Sequence, residues 1–143
     1  MRVPMLGLFA ALAVIIAACG EDTEKKPSPA ISPQQRGVLE TVDRLQTASR
    51  KGDGERICSE IFTRQLAGSI EAGAKTSCAK EVNSKLFPPK TVLAVGQDVR
   101  FPEDGRAVAA VIDQDNSRST LFLTKDAGEW RIEKIKAGPQ PNS

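Results

Sequence analysis

The chain has no histidine and no tyrosine among its 143 residues. Without histidine there is no Ser-His-Asp triad, no imidazole general base and no imidazole metal ligand. Basic and acidic side chains nearly balance, 20 against 18, so the concentrated positive charge that phosphate binding needs is lacking. We therefore expect no enzymatic activity, no catalytic residue, no cofactor, no metal ion and no nucleic-acid partner.

Cysteine is also scarce, with three in the chain, and the first of them ends an apolar N-terminal segment. Arg2 is followed by an almost uninterrupted apolar run, Val3–Ala18, that reaches Cys19. A membrane-spanning helix needs roughly 20 apolar residues, so this run is too short for a stable span. Its basic start, apolar middle and small residues at the end are typical of a secretory signal.

The last residues of this segment, Ile16-Ala17-Ala18-Cys19, resemble the lipobox of bacterial lipoproteins. The resemblance implies cleavage after Ala18 and a diacylglyceryl thioether, with palmitate-like chains, on the cysteine. Two or more acyl chains hold a protein stably on a membrane, whereas one binds marginally. We expect an extracytoplasmic protein anchored to the bacterial cell membrane or outer membrane. The alternatives are plain secretion, with a cut nearby, and an uncleaved anchor.

The composition divides the chain into four parts. We predict a signal peptide over residues 1–18, the lipidated cysteine with a disordered tether over 19–32, one domain over 33–137, and a disordered tail over 138–143. The tether is charged, contains proline and has almost no large apolar side chain, so it cannot bury enough surface to offset its ordering entropy. The remaining length suits one modest core.

The domain is predicted to begin with two helices. Ser32 is followed by proline and two glutamines, which is a capping-box pattern for a helix that ends at Gly52. Asp53 then caps a second helix with an apolar stripe through Phe62.

A short turn and a third helix are predicted next. Thr63 caps a turn that ends at Leu66, and the glycine-containing residues 68–73 are predicted to form a loop. Either Thr76 or Ser77 begins the third helix, and the two prolines after Phe87 end it.

Beyond these prolines, apolar residues repeat every second position, which predicts strands. We place four strands over residues 91–101, 106–114, 118–125 and 129–136, with an Asp-Gly hairpin turn after the first. In the second strand the predicted apolar row is Val108, Ala110 and Ile112. The three-residue step from Ile132 to Ile135 predicts either a bulge or the end of the strand. Trp130 is interpreted as core packing rather than a ligand-stacking surface.

Two short fragments add a resemblance. The helix end Arg50-Lys51-Gly52-Asp53 and the strand Gly128-Glu129-Trp130-Arg131-Ile132 resemble the nuclear transport factor 2-like (cystatin-like) superfamily. The resemblance implies an α+β fold, with three N-terminal helices packed on a curved four-stranded antiparallel meander to form a cone. Members of this superfamily include isomerases, dehydratases, hydrolases and non-catalytic binding domains, so the fold does not choose an activity.

Cys58 and Cys78 remain once Cys19 is assigned to lipid. An exported compartment favours their oxidation, and both cysteines lie on apolar helical stripes, so we predict a structural disulfide. Closing a loop of about 20 residues stabilises by about 3 kcal/mol. The alternatives are free buried thiols and a redox pair, although the Cys-x-x-Cys spacing and a histidine base are missing.

The best catalytic candidates are an Asp–Arg set, as in the epoxide hydrolases of the resembled superfamily. Asp98, Arg100, Asp113 and Arg118 lie on strands or at strand ends. Simple alternation directs Asp98 and Arg100 away from the core, so we interpret the set as ion pairs on the solvated face.

We therefore expect a membrane-tethered, non-catalytic domain that binds a small apolar ligand or an envelope protein. The binding surface would be the mouth of the cone, lined by aliphatic side chains, or the exposed face of the sheet. The alternatives are a small cavity enzyme that uses Asp/Arg chemistry and an architectural component of the cell envelope.

Overall fold

A computed structural model describes residues 30–113 and 116–138, without the side chains of residues 96–98. The signal segment, Cys19, most of the tether and nearly all of the tail lie outside the described residues. The predictions made for those segments therefore stay predictions.

The first helix, α1, spans Pro33–Arg50 and confirms the predicted start. The Ser32 side chain accepts a hydrogen bond from the Gln35 backbone N–H at 3.1 Å, and the proline occupies the first helical turn. Gly52 then turns the chain with φ +66°, a conformation that suits glycine. One face of α1 is buried, and it consists of Val38, Thr41, Val42, Leu45, Ala48 and Ser49.

The helical region continues with short helices rather than the two further helices that the sequence predicts. Helix α2 spans Gly54–Arg56 and runs into a π-helical turn at Ile57–Ile61. Helix α3 spans Arg64–Ala74, and helix α4 spans Cys78–Glu81 before a second π-helical turn at Val82–Leu86. The predicted cap residues Asp53, Thr63 and Ser77 each accept a backbone N–H three residues later.

The predicted loop over residues 68–73 is wrong, because α3 covers all of it. Leu66, Ala67 and Ile70 pack against the core at helical spacing, and this burial outweighs the helix cost of the two glycines. The helix ends instead at Lys75, which adopts a left-handed conformation with φ +54°.

The second half of the domain is an antiparallel sheet, and the fold is α+β. Strand β1 spans Leu93–Glu103, β2 Arg106–Asp113, β3 Arg118–Asp126 and β4 Glu129–Ala137. They pair in the order β1-β2-β3-β4. The predicted Asp-Gly turn is confirmed by Gly105 at φ +73°. The predicted bulge is also confirmed, because Leu123 pairs with Ile132 while Phe122 pairs with Lys134.

The helices cover one face of the sheet, and the core lies between them. On β2 the buried residues are Ala107, Ala109 and Val111, so the predicted row of Val108, Ala110 and Ile112 is wrong by one position. Both faces of this strand are apolar, so the period of two was correct but gave no information on which face packs inward. The misassigned row lies on the outer face of the sheet.

Phe62 joins the helices to the sheet. This residue has no exposed surface and forms an isolated parallel bridge with Ile132 of β4. The next residue, Thr63, donates its backbone N–H to the Ile132 carbonyl at 2.9 Å. The Phe62 ring also meets the Phe87 ring edge-on, with centroids 6.4 Å apart. One buried residue thus contacts the helical region, β4 and the segment that leads into β1.

Gly54→Ala is expected to lower the free energy of unfolding by about 2 kcal/mol, because it overfills a close contact. A Cβ at this buried position would lie 2.5 Å from the Ala79 carbonyl oxygen and 2.9 Å from its Cα. Both are backbone atoms of α4, so no side-chain rotation can relieve the contact. Urea denaturation followed by circular dichroism measures the loss.

Gly68→Ala serves as the matched control within α3. No atom lies within 4 Å of its added Cβ, so the better helix propensity of alanine should stabilise by about 0.5–1 kcal/mol. Equal effects at the two glycines would contradict the packing explanation.

Candidate functional site

The predicted disulfide between Cys58 and Cys78 is confirmed, with the two Cα atoms 6.2 Å apart. It joins the first π-helical turn to the start of α4 and spans the loop that contains α3. Cys78 is only 2% exposed. The bond therefore fixes the helical layer that lies on the sheet, and the free-thiol alternative is wrong.

The helix-facing side of the sheet is filled with packed side chains. Val38, Val42 and Leu45 of α1 are fully buried in one cluster that includes Leu121 and Leu123 of β3. At one end, Phe101 of β1 and Trp130 of β4 meet with ring centroids 6.0 Å apart, although they belong to opposite edge strands. Trp130 is 5% exposed, which confirms its predicted place in the core.

A groove of about 650 Å³ lies where the first half of α1 meets the turn between β3 and β4. Its lining is Gly37, Leu39, Glu40, Thr41, Asp43, Arg44, Gly128, Glu129 and Trp130. The Thr41 hydroxyl lies 2.9 Å from the Gly37 carbonyl and 3.3 Å from the Trp130 carbonyl, which ties β4 to α1. Three carboxylates and a guanidinium line this groove, which is not the aliphatic lining expected of a cone mouth.

The outer face of the sheet carries a second candidate surface, and strand register builds it. Arg100 pairs with Val108, Val108 with Phe122, and Phe122 with Lys134, so these four residues form one row across all strands. The neighbouring row contains Ala110, Thr120 and Lys136. We call these seven residues the outer-face patch: Arg100, Val108, Ala110, Thr120, Phe122, Lys134 and Lys136. A groove of about 560 Å³ crosses it.

The outer-face patch is apolar in its centre and positive at its edges. The Lys134 ammonium lies 5.6 Å from the centroid of the Phe122 ring, within the range of a cation–π contact. Arg100, Lys134 and Lys136 are exposed, and among the described side chains none of the three has a carboxylate within 4 Å.

Two carboxylates beside the outer-face patch are held in ion pairs, whereas a third, Glu103, lies in register with Arg106 and is exposed. Glu133 pairs with Arg106 at 2.6 Å, and Asp126 lies 3.8 Å from Arg131. In addition, Arg131 donates to the Ser59 carbonyl at 3.0 Å, across the edge of β4. These contacts leave the net charge of the described patch positive.

The predicted Asp–Arg set is distributed over the sheet. Arg100 lies on the outer face of β1, and Arg118 is paired in register with Ile112 on the same outer face. Asp113 is half-buried and is paired in register with Leu93, on the helix-facing side. The side chain of Asp98 lies outside the described ones. The register therefore assigns Asp113 and the two arginines to opposite faces.

Residues 30–113 and 116–138 contain neither a cluster of metal-ligating side chains nor a membrane-spanning helix. No group of three or more cysteine, aspartate or glutamate side chains in these ranges could hold a metal ion. None of the helices found there is long and apolar enough to cross a membrane.

Comparison with known proteins does not assign the chain to a family. No protein-family model matches it, and a search of curated proteins finds no significant match.

Proposed function

We propose that this chain is a lipid-anchored, extracytoplasmic protein whose domain binds a partner without catalysis through the outer-face patch. The observation that carries the proposal is the patch itself, since its apolar centre and exposed cations lie on the face of the sheet opposite the described helices. A one-sided antiparallel sheet ordinarily presents alternating polar residues to water. An apolar row bordered by charge on that face is typical of a binding surface.

The disulfide supports the proposed extracytoplasmic location of the protein. Disulfides persist in oxidising compartments outside the cytoplasm, where the lipobox-like Ile16-Ala17-Ala18-Cys19 would also direct the chain. Two independent features, one at the N-terminus and one in the domain, thus favour export.

The architecture favours the nuclear transport factor 2-like arrangement. Helix α1, the longest of the described helices, packs along the helix-facing side, and the sheet curls enough for Phe101 and Trp130 of opposite edges to meet. A helix held inside a curled sheet is the cone that the resemblance implies. The filled interior moves the expected binding surface from the mouth of the cone to the outer face.

The distribution of charged groups supports binding over chemistry. An Asp–Arg active site needs a carboxylate and a guanidinium held together near a cavity. The register instead separates Asp113 from Arg100 and Arg118, and the described ion pairs of Glu133 and Asp126 lie on exposed parts of the sheet.

Cys19→Ser is expected to abolish acylation of the protein. Bacteria that express the chain are grown with an alkyne-tagged palmitate, and the protein is then isolated, conjugated to a reporter and weighed intact. The unaltered chain should carry the tag and begin at Cys19, whereas the variant should carry none, because only the thiolate of that residue forms the thioether.

The control is the double variant Cys58→Ser with Cys78→Ser, which removes the two other cysteines and should keep the tag. An untagged, unprocessed wild-type chain would refute the anchor, and a tag lost only from the double variant would place the lipid elsewhere.

A further inference from the structure

We propose that the outer-face patch docks on the anionic phospholipid surface of the membrane that carries the anchor. The proposal rests on the proposed function, since acylation of Cys19 is what brings the domain to a membrane. It deepens that function by naming the partner of the binding surface.

The patch has the chemistry of an interfacial membrane contact. Proteins that lie on a bilayer combine apolar side chains, which enter the headgroup region, with lysine and arginine, which meet anionic lipids. Here Val108 and Phe122 occupy the middle of one cross-strand row, and Arg100 and Lys134 occupy its ends. With strands about 4.8 Å apart, the two cations lie at the ends of a row about 14 Å wide.

The shape of the sheet also suits a broad surface. The sheet curls toward the helices, because Phe101 and Trp130 meet on that side. The outer face is therefore convex across the strands, with Val108 and Phe122 in the groove that crosses it. A bilayer surface can follow such a face.

Charge argues against a second copy of this chain as the partner. A symmetric dimer pairs the same surface on both subunits. Pairing two outer-face patches would bring Arg100, Lys134 and Lys136 of one copy toward the same cations of the other. An anionic lipid surface provides the opposite sign.

The predicted tether keeps the domain close enough for weak docking to matter. Residues 20–32 separate Cys19 from α1, and a coil of this length has a root-mean-square span of about 20 Å. A domain of this size has a radius of gyration of about 13 Å. With the lipid inserted, the effective concentration of the patch at the surface is in the millimolar range, so modest affinity suffices.

The test uses the chain from Gly20 onward, which lacks the acylation site and keeps every buried core residue. Co-sedimentation is measured with vesicles of phosphatidylcholine alone and of phosphatidylcholine mixed with phosphatidylglycerol. We expect binding to the mixed vesicles only, and release as salt screens the charges. Equal binding to both vesicle types, or none to the mixed ones, would overturn the proposal.

The combined variant Arg100→Gln, Lys134→Gln and Lys136→Gln should bind mixed vesicles about a hundredfold more weakly. The matched control changes Lys51, Lys80 and Lys90 to glutamine, three exposed cations outside the sheet that lower the net charge equally. The control should retain most of the binding. Equal losses in the two variants would show attraction by net charge alone and would refute a docking face.

Two further measurements test whether a free anion or a second copy of the chain, rather than a bilayer, occupies the outer-face patch. If glycerol phosphate displaces the protein from vesicles, a free anion occupies the patch, and the bilayer proposal is overturned. If the wild-type chain dimerises and the combined variant does not, the outer face binds a second copy, and the bilayer proposal is overturned as well. Palmitate tagging tests the anchor separately, so a tagged chain without vesicle binding refutes only the docking, whereas an untagged chain refutes the proposed function.

Discussion

Phe62→Ala is expected to lower the free energy of unfolding by about 3–5 kcal/mol, the usual range for truncating a buried phenylalanine. The side chain has no exposed surface and meets the Phe87 ring edge-on. The neighbouring backbone is fixed by the bond from Thr63 to the Ile132 carbonyl, so the walls of the cavity cannot collapse freely. Urea denaturation of the chain from Gly20 onward, followed by circular dichroism, measures the change.

Phe122→Ala is the matched control, since it removes the same side chain from the outer face of the sheet. Phe122 is half-buried, and its ring is covered by the Lys134 side chain, so its truncation should cost about 1 kcal/mol. Equal losses at the two positions would contradict the assignment of Phe62 as the joint between helices and sheet.

Replacing both Cys58 and Cys78 with serine is expected to cost about 3 kcal/mol of stability. The two cysteines are 20 positions apart, and the open chain gains the conformational freedom of that loop. The two sides of the loop are also joined by the hydrogen bond from the Asn83 side-chain amide to the Gly52 carbonyl at 2.8 Å and by the packing of Gly54 on Ala79. The loss should therefore appear as a lower urea midpoint for the entire domain.

The reduced wild-type chain provides the comparison. Reductant should lower the stability of the wild type to about that of the double serine variant and leave the variant unchanged. A double serine variant as stable as the oxidised wild type would show that the disulfide does not contribute to the stability of the domain.

Local signals predicted where helices begin and where one hairpin turns. The caps at Ser32, Asp53, Thr63 and Ser77 all form as expected, because each depends on one side chain and a backbone N–H three residues away. The Asp-Gly turn at Gly105 is equally local. Such features need no knowledge of the tertiary fold.

The predictions that failed depend on tertiary packing. Residues 68–73 form a helix because Ile70 and its neighbours contact the core, which outweighs the local preference of two glycines. On β2, alternation predicted the apolar row of Val108, Ala110 and Ile112, whereas tertiary packing buries Ala107, Ala109 and Val111.

The candidate surface was the least predictable part. The outer-face patch collects residues from all four strands, from Arg100 to Lys136, and only the pairing register places them together. One signal was present in the sequence: Val108 and Ala110 make β2 apolar on both faces, although the described helices cover only one of them. An apolar row of that kind indicates a partner.

The contact between Phe101 and Trp130 makes the intrinsic fluorescence of the protein a probe of the two edge strands. Trp130 is the only tryptophan, and there is no tyrosine, so nearly all intrinsic fluorescence comes from one indole. That indole contacts both the Phe101 ring and the Lys125 ammonium, which is 5.7 Å from its centroid. Separation of the two edge strands would wet the indole and shift its emission to longer wavelength, so unlabelled protein reports on this end of the fold.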